Sequence, residues 1–238
     1  MKKRFFIFSF CLFSCFIHAQ EGKERIWDFP VKPGSEKWAS FATSQEMVDA
    51  LQIPQDVLEK LSSKELAEIC LDYPLFFNFS AYNDERVGIS ATIESFNGLK
   101  ELSDRKDGAH ELISLYKRYP IISQIQKEGS KDFDTPYKLP FLELLLSDET
   151  FNKQLDEQQS IELSQIVVAK YESKLNNAHV YSLHNIKKTF LLGAITIENH
   201  YINKKTTRQQ ETVKRFIDHY NKADSDLITD ISRIISEL

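Results

Sequence analysis

"SSKELAEICLDYPL" (residues 62–75) contains a helix start, a buried face and a stop. Ser62 and Glu65 have the spacing of a capping box, in which the hydroxyl takes one free backbone N–H and the carboxylate reaches back for another. Leu66, Ile69, Cys70 and Tyr73 follow at three- and four-residue spacings, which places them on one side of a helix. Tyr73-Pro74 closes the segment, because the residue before a proline is pushed out of the helical region.

The same pattern extends in both directions. Thr43 and Glu46 form a second capping-box pair ahead of Met47, Val48 and Leu51, and Pro54 opens a short helix bearing Val57, Leu58 and Leu61. Helices are predicted at 84–97, 108–119, 140–146, 148–155, 157–176, 183–200, 208–221 and 226–237. "IKKTFLLGAITI" (186–197) is apolar on most sides after its two lysines and is predicted to be a central buried helix. Gly and Pro number seven each against 17 Phe, a balance that favours long regular elements over a turn-rich all-β fold. No segment alternates as a strand would. The expected class is all-α, built of antiparallel helix pairs.

"KELAEICLDYPL" (64–75) and "HELISLYKRYPI" (110–121) share Glu-Leu and Tyr-Pro at matching offsets, 46 residues apart. That period suits a short α-α superhelix of HEAT or armadillo type, in which units of about 40–47 residues stack because none buries its face alone. A third copy, at 161–174, lacks Tyr-Pro. Paired helices without repetition give the same two matches.

The amino terminus reads as an export signal, 1–19. Lys2, Lys3 and Arg4 precede an apolar run over 5–17 that is too short to span a membrane, and Ala19 supplies the small residue before a cut at Gln20. The rival is lipidation at Cys15, since Leu12-Phe13-Ser14-Cys15 looks like a bacterial lipobox. Removal of 1–19 leaves 219 residues with 27 basic against 35 acidic side chains, a net charge of −8, and leaves Cys70 as the one cysteine. A chain so acidic is a poor binder of nucleic acid, which must be met by neutralising phosphates. Residues 20–41 read as an extended lead-in, with Pro30 and Pro33 opposing helix and Trp27, Phe29 and Trp38 available to pack it down. Residues 42–238 form one helical domain with a candidate subdomain joint at 129–137, where Gly129, Ser130 and Pro136 cluster.

The succession "FPVKPGSEKW", "ALQIPQDVLEKLSSKEL", "FNGLKEL" and "RKDGAHELISLY", within residues 27–119, resembles a group of small exported bacterial proteins of unknown function. The resemblance implies a bacterial, extracytoplasmic setting and brings no catalytic residue with it.

Recognisable catalytic motifs are few. The seven glycines permit neither GxGxxG nor GxxxxGK, and no GxSxG is present. Ser103 to Lys106 and Ser114 to Lys117 match SxxK without the accompanying KTG or SDN. "HELIS" at His110 has Ser114 where a zinc helix needs its second histidine, and His179, His184, His200 and His219 show no ligand spacing. No metal or cofactor is expected. The basic run with Lys204, Lys205, Arg208, Lys214 and Arg215 reads as a solvated face or a contact for anionic head groups.

Two stretches have binding character. "YPLFFNFSAYND" (73–84) holds five aromatics and reads as a densely packed helix, or as a pocket lining with Tyr82 and Asn83 as candidates. "FNGLKELSDRKD" (96–107) offers Asn97, Arg105 and Asp107, with Asn97-Gly98 read as a helix stop and the polar side chains converging with Asn83, or else tying helix ends together. The sequence therefore points to an exported, noncatalytic interaction module with a protein or peptide partner and no transmembrane span. The alternatives are an enzyme, such as a hydrolase, assembled from dispersed polar residues, and a structural envelope lipoprotein.

Overall fold

The computed structural model describes residues 26–119, 135–179 and 181–238; most of the 129–137 joint, the 1–19 signal and Cys15 lie outside the described residues. All regular elements among the described residues are helical. In chain order they are α1 (Glu36–Ala39), α2 (Ser44–Ala50), α3 (Gln55–Leu58), α4 (Ser63–Leu71), a 3₁₀ helix (Phe76–Ala81), α5 (Glu85–Ser95), α6 (Asn97–Asp104), α7 (Gly108–Arg118), α8 (Thr135–Ser147), α9 (Glu149–Asn152), α10 (Glu157–Asn176), α11 (Leu183–Thr196), a π-helical turn (Ile197–Tyr201), α12 (Thr207–Asp218) and α13 (Ser225–Ile235). Short 3₁₀ turns at Ile202–Lys204 and Tyr220–Lys222 flank α12. No helix among the described residues is long and apolar enough to cross a membrane.

Caps set most helix starts. Ser62 and Glu65 make the predicted box at α4, and Asp156 with Gln159 and Thr206 with Gln209 make two more. At Thr43 the hydroxyl accepts from the Glu46 N–H as predicted, but the Glu46 carboxylate bonds the N–H of Ala42 at 2.8 Å, one residue earlier than a box requires.

α11 is the central helix. From Phe190 to Thr196 every residue is buried, and α8, α10, α12 and α13 pack around it. α8 is buried nearly all round from Leu139 to Ser147 and touches α4, α5, α7, α9 and the 3₁₀ helix, so α8 and α11 together form the spine of the core. α4 and α7, the two matching segments of the sequence, pack directly on each other.

Four sequence expectations are corrected. Helix α8 starts at Thr135 and carries Pro140 in its interior, instead of beginning at Pro140; Pro136 occupies the first turn, where a missing N–H costs nothing. Asn97-Gly98 starts α6 instead of ending α5, and the glycine is there because a Cβ would stand 2.5 Å from the Phe96 ring. The aromatic stretch makes a 3₁₀ helix with Phe79 buried and Phe77 49% exposed. Gly88 allows it to lie on α5, since a Cβ there would meet the Phe79 carbonyl at 2.5 Å. Finally, the predicted helix 183–200 turns π-helical at Ile197.

The lead-in holds one helical turn, α1, and is pinned by aromatic contacts. Phe29 is buried against Tyr73 and Phe96, which stack at 4.1 Å and 6°, and Trp27 meets Phe29 edge-on at 4.6 Å. Burial pushes the Tyr73 hydroxyl up to about 12.

Candidate functional site

Two concentrations of charge distinguish this molecule, one sealed in the core and one open to solvent. In the core, Glu143 of α8 meets Lys174 of α10 at 2.8 Å through both carboxylate oxygens, and both side chains are fully buried. Tyr116 Oη and Thr189 Oγ1 donate to the same carboxylate at 3.0 and 2.8 Å, and the Lys174 ammonium also reaches Thr189 Oγ1 at 2.9 Å. Every buried side-chain donor and acceptor among the described residues is satisfied. Burial lowers the affinity of Lys174 for its proton, and burial followed by the Glu143 charge raises that of the Tyr116 phenol for its own.

A related set lies nearer the surface. Glu85 pairs with Lys188 at 3.0 Å and with His184 at 3.2 Å, and Tyr220 Oη donates to it at 3.4 Å. These contacts tie α5 to α11 and to the turn after α12. Burial lowers Lys188 and raises Tyr220, the latter also by the Glu85 charge. Both sets join helices across the core, and of their members His184 is the one whose side chain is largely exposed.

The open concentration is a groove of about 330 Å³ between α5, the α8–α9 corner, the π turn and α12. Ile89, Leu144 and Ile195 are buried and give it an apolar wall, with Val87 57% exposed beside them. Its polar lining includes Asp84, Arg86, Ser90, Asp148, Glu149 and Glu198. The volume is at the small end of ligand pockets, about 300–1,000 Å³.

Hydrogen bonds hold each wall of the groove to the next. Arg86 grips Asp84 at 2.6 Å and donates through Nη1 to the Ile217 carbonyl at 2.8 Å, which joins α5 to α12. The bond from Arg86 holds the Asp84 carboxyl below the usual carboxylate range, against the opposing effect of burial. Ser90 Oγ donates to Asp148 at 2.7 Å, linking α5 to the α8–α9 corner. Buried Asn152 fixes that corner to the π turn: its Nδ2 donates to the Leu146 carbonyl at 2.9 Å, its Oδ1 accepts from Asn199 at 2.8 Å, and its carbonyl lies 3.0 Å from His200 Nε2. The π turn inserts a residue where a straight helix would continue, a distortion frequent at functional sites.

The residues proposed from sequence separate into two groups. Asn97 bonds both backbone groups of Ile53, at 2.9 and 2.8 Å, and Arg105 donates to the carbonyls of Leu61 and Leu58 at 2.7 and 2.8 Å. Asp107 accepts from Ser63 Oγ at 2.6 Å. These three clamp the segment around α3 to α6 and α7. Tyr82 and Asn83 lie at the other end of α5, about 16 Å away by helix rise, next to Asp84 in the groove lining. Tyr82 is 45% exposed, and the Asn83 carbonyl accepts from Asn221 at 3.3 Å. Arg86, Ser90, Asp148 and Glu198 line the groove without a signal in the sequence that singles them out as site residues. Asp148 is legible as a helix cap, but nothing local marks Glu198, whose place depends on the π turn.

Among the described residues no group of three or more His, Cys, Asp or Glu is arranged to hold a metal ion. His184 faces Glu85, Lys117 of one SxxK match pairs with Glu162 at 2.8 Å, and Ser103 of the other is buried. Cys70 is buried, and desolvation raises its thiol far above the range in which it would act as a nucleophile. No family model, curated protein or solved structure matches this chain.

Proposed function

We propose that this chain is an exported, noncatalytic binding module that receives a segment of a partner protein in the groove between α5, the α8–α9 corner and the π turn. One observation carries the reading: the groove is concave, apolar on its buried side, polar at its rim, and tied together by hydrogen bonds across all its walls. Such a surface binds with little ordering cost. The one hydroxyl among its described lining residues that resembles a nucleophile at the mouth, Ser90, faces a carboxylate, and among the described residues no histidine or lysine lines the groove to take its proton. Tyr82 and Asn83 extend the surface at one end.

The test is site-specific photo-crosslinking in the native cell. A crosslinker at Val87 is expected to give a discrete adduct that one at Asp226, exposed on α13, does not. Absence of any adduct at Val87, or the same adduct from both positions, overturns the reading. Export rests on the 1–19 segment, and its test is the mass of the purified protein's N-terminus. Gln20 is the expected first residue, a lipidated Cys15 would make the module membrane-anchored, and an intact Met1 would overturn export.

A further inference from the structure

We infer that the occupant of this groove is a basic peptide segment, with a Lys or Arg side chain set between Asp148 and Glu198 and its aliphatic stem on Ile89, Ile195 and Val87. The inference rests on the binding-module reading and adds the chemistry of the partner. It follows from accounting for each charge in the lining. Asp84 is neutralised by Arg86 at 2.6 Å, and Glu149 by Lys153 at 2.6 Å. Among the described residues Asp148 receives only neutral donors, the Ser90 hydroxyl at 2.7 Å and the Thr150 N–H at 2.9 Å. Glu198, half-buried on the π turn, makes no hydrogen bond or ion pair with any described residue. Among the described residues Arg86 is the one cation lining the groove, and it is already committed to Asp84 and Ile217.

Two carboxylates without a countercharge beside an apolar wall repel anions and leave a neutral apolar ligand nothing for the charge. The complementary group is a cation on a hydrocarbon stem, which is how Lys and Arg side chains cover apolar surface while keeping the charge at a polar edge. Charge-assisted hydrogen bonds of this kind are about twice as strong as neutral ones. Val87 in the lining and Tyr82, two residues before the lining residue Asp84, are 57% and 45% exposed, so apolar surface is on offer to an occupant longer than a single amine.

Fluorescence anisotropy of the purified chain with three labelled nine-residue peptides tests this. In one, lysines alternate with valines; in the others, glutamine or glutamate replaces the lysines. The lysine peptide is expected to bind at least about tenfold more tightly than the glutamine peptide, a difference of roughly 1.4 kcal/mol. The glutamate peptide is expected not to bind. Glu198→Gln and Asp148→Asn are each expected to weaken the lysine peptide severalfold, to flatten its salt dependence, and to leave the glutamine peptide unchanged. Equal binding of lysine and glutamine peptides, abolished by Val87→Arg, would overturn the charge assignment while the groove reading stands. Failure of all three peptides alongside a Val87 adduct in cells would do the same. Cadaverine binding as tightly as the lysine peptide would overturn the peptide occupant, and absence of both peptide binding and adduct would sink inference and groove together.

Discussion

Glu143 and Asp148 stand five residues apart at one end of α8, in opposite electrostatic situations. Glu143 is fully buried and takes an ammonium, a phenol and a hydroxyl. Asp148 is partly exposed, caps α9 and meets no cation among the described residues. Inside, the cost of taking a carboxylate from water is offset only by complete pairing. At the rim, water does the solvating, and a charge can be left available to a partner without destabilising the fold. A buried ion pair therefore indicates architecture here, and an uncompensated charge at a groove is what the proposed binding role rests on.

The largest expected effect comes from breaking the inner pair. Lys174→Met should destabilise the protein by about 3–5 kcal/mol in chemical denaturation, because it leaves Glu143 charged and buried. The double variant Glu143→Met with Lys174→Met should lose much less; if it loses as much as the single variant, the cost lies in packing and not in charge. Next, Asn97→Ala should cost about 1–3 kcal/mol by orphaning both backbone groups of Ile53, without altering peptide affinity. An affinity change would place that clamp in the binding surface after all.

Lys170 gives a pH test of how far charge is tolerated beside the inner pair. Burial pushes its amine down to about 8, and it donates to the Tyr119 carbonyl. The unfolded chain titrates near about 10.4. Between those values the unfolded state holds a proton that the folded state has released, so stability due to this group rises with pH across the window. Denaturation midpoints from pH 7.5 to 10 should climb more for the wild type than for Lys170→Met; parallel curves would show that Lys170 titrates normally. Smallest is Glu198→Gln, expected to change stability by less than about 0.5 kcal/mol, since the side chain makes no hydrogen bond or ion pair with a described residue. A larger loss would mean that Glu198 belongs to the fold, as Glu143 does.

Local signals carried most of the secondary structure. Glu157–Asn176 forms over the predicted residues, and the helices at α4, α5, α7, α12 and α13 lie within a few residues of expectation. The failures share a cause. Asn97-Gly98 has the composition of a stop, yet the glycine answers to the Phe96 ring and the asparagine to Ile53, 44 residues away. Pro140 looks like a first-turn residue, yet α8 begins earlier, on a face so thoroughly buried that packing outweighs one missing hydrogen bond. Of the site candidates, Tyr82 and Asn83 flank the groove, whereas Asn97, Arg105 and Asp107 are committed to backbone and side chains around α3.

The sequence by itself determined the all-α class, the caps and the central helix, because a cap bonds within about four residues and an apolar face shows in its own spacing. Only the tertiary structure decided which charges are spent and which are left. Tyr116, Lys174 and Thr189 reach Glu143 from 27, 31 and 46 residues away, and Glu198 is set at the groove by a π turn that no local pattern announces. The strength of a charge depends on its distance to the others and on the water around it, and both are properties of the folded chain.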